Sequence, residues 1–486
     1  MRGEEHALFD RGSPRGSAET PPGAIRGGRL RRSAPLLGLT ARTAGEAVVL
    51  GLRSSATDAE RAEFHVRTAE RYTELLGRSR GALMKAGQLL SLTTLGPALD
   101  AEVQVTYRAA LARLRDNAPP MAPELAREVL ERELGQRAAA AFAEFDWEPI
   151  AAASIGQVHR ARLHDGRAVA VKIQYPGVAD AIRADLSNGE LLVTFLGLLS
   201  ALSGRKLSLD LRSAAQELRE RILEELDYQL EAANQSEFAE RYRGHPFIHV
   251  PAVIKELSGA RVLTQELVQG KGWSEALRAE QHLRDSWGEA IYRFCYGSFR
   301  GFGVFNGDAH PGNFVFHDDG SVSFLDFGCV KRLCRDDAER INLVLRECVR
   351  GDVQATWRLS VEGGFFAPSG SLTPEQVFFY WHEPVEMYWG EQPFTVTPQH
   401  AARAVRVRFG PTGPAANALT HLTMPKPYTV MGRLTACVMA LLGELQASGH
   451  WRAIADEHLE GAAPTTALGR AEYAWRERRE QAGAHA

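Results

Sequence analysis

The feature that most constrains the fold is a pair of polar clusters in the C-terminal half of the chain. The first is FNGDAHPGNF at residues 305–314, and the second is VSFLDFG at residues 322–328. Asp308 precedes Asn313 by five positions, and Asp326 follows after a short hairpin pattern. Mg²⁺ prefers hard oxygen ligands, such as carboxylate and amide oxygens. We therefore predict that Asn313 and Asp326 bind Mg²⁺ and that Asp308 faces a phosphoryl acceptor or its water.

A second pattern lies upstream, at residues 145–172, where short apolar and β-branched runs flank the turn HDGR. These runs predict antiparallel strands joined by a hairpin. The run of small residues that precedes the hairpin lets backbone N–H groups approach a phosphate, and Lys172 on the neighbouring strand can hold the α- and β-phosphates of a nucleotide. The candidate nucleotide-binding residues are Ala151, Ala152, Ala153, Ser154, Ile155, Gly156, Gln157, Val158 and Lys172. Taken alone, the loop fits an ordinary strand-to-strand turn equally well.

Several acids lie in the sequence EELDYQLE at residues 224–231, which we predict to be a single helix. One of them should pair with Lys172, because an unpaired lysine in a closed cleft is unfavourable. Glu231 is the preferred partner. Without the other motifs, such a run is more often the solvated face of a helix.

Residues 262–270, VLTQELVQG, run from a predicted strand into a glycine-containing linker. In a kinase fold, this linker joins the two lobes and its backbone binds the edge of adenine. The carbonyl of Glu266 and the amide of Val268 are the candidates. The local pattern fits an ordinary strand end equally well.

The order of predicted elements is strands, a helical segment, more strands and then a mainly helical half. This order predicts the α+β class and a two-lobed, protein-kinase-like fold with a helical N-terminal extension and a helical C-terminal tail. The predicted units are a disordered and basic segment at 1–55, the helical extension at 56–144, an N-lobe at 145–270, a C-lobe at 271–410 and C-terminal helices at 411–486. The basic part of the first unit fits a helix on an anionic membrane and a helix packed on the main body equally well.

Composition excludes few classes. The 57 basic and 60 acidic residues give a net charge of −3, which does not favour nucleic acid as a partner. The five cysteines form no C-x-x-C pair, and their sparse use fits a reducing compartment. No apolar run reaches the length of a membrane span. We therefore expect a cytoplasmic protein, with peripheral membrane contact at most.

The sequence Lys85-Ala86-Gly87-Gln88 adds a more specific mark, because it matches the K-x-G-Q motif of the AarF/UbiB atypical kinase family. The chain resembles this family, which includes the coenzyme Q kinases, over about residues 80–331. Alanines replace the usual loop glycines, as they do in the family, and Glu225-Leu226-Asp227 matches its E-x-D motif. Asp308, Asn313 and Asp326 match its catalytic and metal positions.

The resemblance implies that ATP and Mg²⁺ serve a role in isoprenoid-quinone or other lipid metabolism, with a lipid or quinone precursor as partner. It also implies that Lys85 and Gln88 belong to the catalytic site, on a helix folded over the place where a kinase admits a peptide. Family members often end in membrane-spanning helices, whereas residues 468–486 are a charged, helix-like tail. Two alternatives stay open: a small-molecule phosphotransferase of the aminoglycoside-kinase type, and an ATP-gated lipid-binding module with little turnover.

Overall fold

The computed structural model describes residues 67, 71, 121–153, 155–187, 193, 211–409 and 414–484. The predicted N-terminal segment at 1–55 and the K-x-G-Q motif lie outside these residues. The smaller lobe contains a four-stranded antiparallel sheet in the order β1-β2-β3-β5. Its strands are β1 (Phe142–Ala153), β2 (Gly156–Leu163), β3 (Ala168–Gln174) and β5 (Val262–Glu266). The helices of this half are α1 (Pro123–Leu134), α2 (Gln136–Ala141), α3 (Val178–Leu186), α4 (Leu211–Glu224) and α5 (Tyr228–Arg241), and the short strand β4 (Ile248–His249) follows them.

The sheet is held by one hydrophobic core beneath β2 and β3. Val171 and Ile173 of β3 are fully buried and pack in the same cluster as Val129 and Leu130 of α1. Side chains alternate between the two faces of a strand. Because Val171 and Ile173 face the core, Lys172 between them lies on the opposite face. The core thereby turns the lysine towards the cleft between the lobes.

The helix predicted across residues 224–231 is two helices, so that prediction is wrong. α4 ends at Glu224 and α5 begins at Tyr228. Asp227 caps α5, because its side chain accepts hydrogen bonds from the backbone N–H groups of Gln229 and Leu230 at 3.0 and 3.2 Å. An aspartate at this position satisfies N–H groups that have no partner within the helix, and so favours a new helix start.

The larger lobe is mainly helical, as predicted after residue 274, with four short strands beside the cleft. They are β6 (Val304–Asn306), β7 (Phe314–Phe316), β8 (Val322–Phe324) and β9 (Val330–Arg332); β6 pairs with β9, and β8 lies between β4 and β7. The first helices are α6 (Trp273–Ala276), α7 (Gln281–Tyr292), a π-helix (Arg293–Gly297) and α8 (Ser298–Phe302). After the strands come α9 (Arg335–Arg350), α10 (Val353–Glu362), α11 (Pro374–His382), α12 (Glu386–Trp389), α13 (Pro398–Phe409), α14 (Ala416–Thr420), α15 (Lys426–Leu445), α16 (Trp451–Leu459) and α17 (Ala467–Ala484), with a two-stranded ribbon of β10 (Phe394–Thr395) and β11 (Ser448–Gly449).

A second hydrophobic core fills this lobe and supports the strands beside the cleft. Phe294 stacks on Phe324 with ring centroids 3.7 Å apart, and Trp287 packs against Phe316 at 5.1 Å. None of the described helices is both long enough and apolar enough to cross a membrane. The predicted unit boundaries are not tested by these contacts and stay predictions.

Candidate active site

Lys172 of β3 and Glu231 of α5 form an ion pair across the smaller lobe. The Lys172 Nζ donates to Glu231 Oε1 and Oε2 at 2.8 and 2.9 Å, and it lies 4.9 Å from the centre of the Tyr228 ring. Burial favours the neutral amine and would lower the pKa of Lys172, but the carboxylates of Glu231 and Asp326 outweigh it and hold this pKa well above its usual value. The lysine is therefore a fixed positive charge at the cleft.

Asp326 lies on the opposite side of the same lysine, with its Oδ2 3.5 Å from Lys172 Nζ. Its Oδ1 accepts a hydrogen bond from the N–H of Gly328 at 2.9 Å, and this bond sets the turn that follows the aspartate. Asn306 at the end of β6 donates from Nδ2 to the Asp326 backbone oxygen at 2.5 Å. The carboxylate is thus held from both lobes.

The loop from Asp308 to Asn313 is bound to the same framework. The Asn306 Oδ1 accepts from the N–H of Asp308 at 3.0 Å, so one amide side chain bridges this loop and Asp326. Asn313 donates from Nδ2 to the backbone oxygen and to Oδ2 of Asp308 at 3.3 and 3.5 Å. The backbone oxygen of Asn313 accepts from Leu325 N–H at 2.9 Å. Asp308 and Asn313 are therefore in contact, and the segment that carries Asp326 is bound to the same loop.

Helix α5 is also attached to the loop that follows Asp326. Asn234 donates from Nδ2 to the backbone oxygen of Phe327 at 3.1 Å, and the rings of Phe238 and Phe327 lie 4.9 Å apart. One turn further, Glu237 pairs with Arg332 of β9 at 2.5 Å. Because Glu231 lies on the same helix, these contacts position the lysine's partner relative to Asp326.

The small-residue loop is a tight connection between β1 and β2. Ala151, Ala152 and Ala153 pair with Val158, Gln157 and Gly156, and Ser154 lies outside the described residues. Ile155 is buried in the core below, and its backbone oxygen accepts from Tyr175 N–H at 2.9 Å. The loop lies directly above Lys172, since Val158 pairs with Lys172 in the sheet.

Gln157 does not direct its side chain towards this loop's exposed edge. Its side chain is buried; Oε1 accepts from Met121 N–H at 2.8 Å and Nε2 lies 2.9 Å from His159 Nε2. The Gln157 side chain is therefore not available for contact with a phosphate. Gly156 is required by space, because a Cβ there would lie 2.1 Å from the Ile173 backbone oxygen.

The candidate hinge residues lie where β5 ends. Glu266 pairs with Val169 in the sheet, and its carboxylate lies 3.2 Å from His249 Nε2 and accepts from Ala252 N–H at 3.3 Å. The hydrogen bond from His249 is the main reason that the pKa of Glu266 is lowered. Val268 follows the strand and is half-buried. The Glu266 carboxylate and N–H thus already have protein partners, and the backbone carbonyl stays the candidate contact with adenine.

The two acids of the E-x-D sequence have different positions. Asp227 caps α5, as described above. Glu225 lies beside the turn after Asp326, since its Cγ is 3.9 Å from the place that a Cβ on Gly328 would occupy. Lys85 and Gln88 lie outside the described residues.

Three residues of this framework were not among the predicted site residues: Asn306, Tyr228 and Asn234. Asn306 lies two positions before Asp308, and a polar side chain so close to the predicted catalytic aspartate was the available signal. Tyr228 and Asn234 had no such signal, because their contacts join α5 to segments distant in sequence.

A lysine paired to a helix glutamate, with an aspartate beside it and a hairpin loop above it, is the arrangement found in protein-kinase-like folds. The comparisons agree with this class. Residues 113–360 match the ABC1 atypical kinase-like domain, and the chain belongs to that family. The predicted AarF/UbiB resemblance and the α+β kinase-like fold are therefore confirmed.

Individual relatives show how far the similarity extends. The chain is 32% identical over 313 residues to the chloroplastic protein ACTIVITY OF BC1 COMPLEX KINASE 1 of Arabidopsis thaliana, covering 63% of this chain and 44% of that protein. It is 33% identical over 285 residues to the mitochondrial atypical kinase COQ8B of Rattus norvegicus, covering 58% and 52%. The chain therefore spans about half the length of these relatives. The complex of Rv3197 with erythromycin from Mycobacterium tuberculosis is similar in structure, with a TM-score of 0.58, 30% identity, and 82% of this chain and 98% of that one covered.

Proposed function

We propose that this protein binds Mg-ATP in the cleft between its lobes and hydrolyses it or transfers its terminal phosphoryl group. One observation carries the proposal: Lys172 Nζ lies 2.8 Å from Glu231 and 3.5 Å from Asp326. A lysine held between a helix carboxylate and a metal-type carboxylate is the arrangement with which kinase folds hold nucleotide phosphates.

The residues present fit a magnesium ion. Asp326 and Asn313 offer carboxylate and amide oxygens from adjoining loops, and the hydrogen bonds to Gly328 and Asp308 orient both side chains. Mg²⁺ usually binds to one or two protein groups and completes its shell with water and substrate phosphates. Bound there, the ion would neutralise charge on the phosphates.

The protein's own groups supply positioning and charge. Lys172 binds the α- and β-phosphates, and the ion pair with Glu231 keeps the lysine side chain oriented. Asp308 orients a water or a hydroxyl for attack, in a loop tied to Asp326 through Asn306. Catalysis of this kind depends mainly on preorganised electrostatics rather than on covalent chemistry.

We further propose that the reaction serves isoprenoid-quinone or other lipid metabolism. A quinone precursor or another lipid would then either accept the phosphoryl group or be processed with the help of ATP hydrolysis. The support for this proposal is the family alone: the K-x-G-Q and E-x-D sequences and relatives that include a mitochondrial atypical kinase. In this proposal Lys85 and Gln88 complete the site, and contact with a membrane is peripheral.

The test is an ATPase assay with and without liposomes, comparing the wild type with Asp326→Asn. Magnesium-dependent hydrolysis that is lost in the variant supports an enzyme. Asp336→Asn is the matched control, because Asp336 is an exposed aspartate in the first turn of α9 and takes part in none of the contacts of the candidate site. Nucleotide binding without turnover in the wild type would replace the proposal with the ATP-gated binding module. Absence of both binding and turnover would refute it.

A further inference from the structure

A pocket lies within the helices of the larger lobe, among α8, α9, α11, α12 and α15. The space between its walls is about 590 Å³, including the part open to solvent. Apolar and aromatic side chains form most of the wall, among them Phe299, Ile341, Leu345, Trp381 and Met431. We call this space the C-lobe pocket.

A π-helix lies at one wall of the C-lobe pocket. Tyr296, which lines it, belongs to the π-helix Arg293–Gly297 between α7 and α8. π-helical turns are rare and occur frequently at functional sites. The irregular turn is therefore a second feature, besides the cavity, that marks this region.

One wall group is charged. Arg300 lines the C-lobe pocket, and its Nε is buried without a hydrogen-bond partner. Its guanidinium lies 5.6 Å from the centre of the Tyr296 ring, and one terminal nitrogen is 3.5 Å from the Tyr292 hydroxyl. Within the described part of the chain, these neutral groups are its partners and it forms no ion pair with a carboxylate.

Arg293, two helical turns earlier, shows the usual arrangement for comparison. Its guanidinium pairs with Glu289, Glu457 and Glu472 at 2.7, 2.8 and 3.2 Å. Burying a charge is strongly unfavourable unless a counter-charge is present. Arg293 has such charges, whereas the described neighbours of the partly exposed Arg300 are aromatic rings, hydroxyls and the imidazole of His458.

We infer that the C-lobe pocket binds an amphiphile with a single negative charge, namely a long-chain carboxylate, whose head pairs with Arg300 and whose chain lies along the apolar wall. A guanidinium matches a carboxylate in shape and carries one charge, which a monoanion neutralises. The hydroxyl of Tyr388, which lines the pocket and bonds that of Tyr292 at 2.7 Å, adds a polar contact for the head. The inference does not depend on nucleotide chemistry.

The test compares three probes that share one chain, decanoate, decanol and decylammonium, by isothermal titration calorimetry. The wild type should bind decanoate at least about 10-fold more tightly than decanol, and decylammonium least, because a bidentate ion pair adds roughly this factor or more. In Arg300→Met, decanoate should lose that preference and bind no better than decanol. Equal binding of all three probes by the wild type, or an unchanged preference in the variant, would overturn the inference.

A second position tests the cavity without touching the charge. Gly432 lines the C-lobe pocket, and a Cβ there would meet no other atom within 4 Å. Gly432→Phe should obstruct the cavity and reduce decanoate binding at least about 10-fold. Gly432→Ala, which keeps the space, should bind as the wild type does. Full binding in the phenylalanine variant would place the probe elsewhere, and Mg-ATP binding should be unchanged in both variants.

Discussion

The ion pair between Lys172 and Glu231 gives the sharpest test of the site's architecture. Glu231→Gln removes the negative charge and keeps nearly the same shape. In the native protein, the side chains of Lys172 and Glu231 are only 17% and 5% exposed. The substitution therefore leaves a desolvated ammonium whose nearest remaining carboxylate is Asp326, at 3.5 Å.

The expected magnitude follows from these distances. Breaking a buried ion pair by removing one partner costs about 3–5 kcal/mol. At an effective dielectric constant of about 20, the attraction of a unit pair at these two separations is roughly 6 and roughly 5 kcal/mol. The Asp326 attraction is present before and after the substitution, so the lysine of the variant keeps one carboxylate rather than none. We expect Glu231→Gln to lower the free energy of unfolding by about 2–3 kcal/mol, below the full cost of breaking a buried pair. The lysine should shift towards Asp326 and weaken Mg-ATP binding.

The assay is urea unfolding combined with calorimetric binding of ATP in the presence and absence of Mg²⁺. Glu224→Gln is the matched control, because Glu224 pairs with Lys331 at similar distances of 2.7 and 2.8 Å, while these side chains are 33% and 26% exposed. Partly exposed pairs contribute about 1 kcal/mol or less. Equal losses in the two variants, or a loss under about 0.5 kcal/mol in Glu231→Gln, would refute the reasoning that burial gives the pair its importance.

Three further predictions follow from other contacts. Asn306→Ala removes the two side-chain bonds that join the Asp308 loop to Asp326. In single-turnover kinetics, turnover should therefore fall about 10–100-fold with a smaller change in ATP affinity. Equal losses of turnover and of affinity would contradict a positioning role. Gly156→Ala should destabilise the protein by about 3 kcal/mol through its clash with the Ile173 oxygen, whereas the exposed Gly370→Ala should change thermal stability by under about 0.5 kcal/mol. Burial, with Arg476 and Arg293 adding to it, lowers the pKa of His245 to about 3 from 6.5, so between these values the unfolded chain binds a proton that the folded chain does not. Stability should therefore fall by up to about 1.4 kcal/mol per unit as pH drops below 6.5, less steeply in His245→Gln, and a parallel slope in that variant would refute the assignment.

Local sequence patterns predicted much of the order of strands, turns and helices. The turn at residues 164–167 joins β2 and β3 as expected, because a turn signal between β-branched runs acts over a few residues. The spacing of Asp308, Asn313 and Asp326 likewise reflects a short loop and a short hairpin. The helix break before Tyr228 was missed, although Asp227 is a good capping residue, because the acids around it fit a continuous helix equally well.

The orientation of individual side chains could not be predicted from local sequence patterns. Gln157 belongs to a phosphate-loop pattern, yet its side chain bonds Met121 and His159 inside the lobe. Nothing in the neighbouring residues distinguishes those two orientations. Only the packing of α1 against the sheet decides between them.

By itself, the sequence determined the family and most of the order of strands and helices, and it predicted the residues of a nucleotide and metal site. Those properties follow from short-range spacing and turn chemistry. The tertiary structure decided which charged groups come into contact. Lys172 pairs with Glu231, 59 positions away in the sequence. Arg293 pairs with three carboxylates, whereas Arg300 contacts aromatic side chains. The physical reason is that the energy of a charge depends on burial and on neighbours brought together by packing, and neither is a property of the local chain.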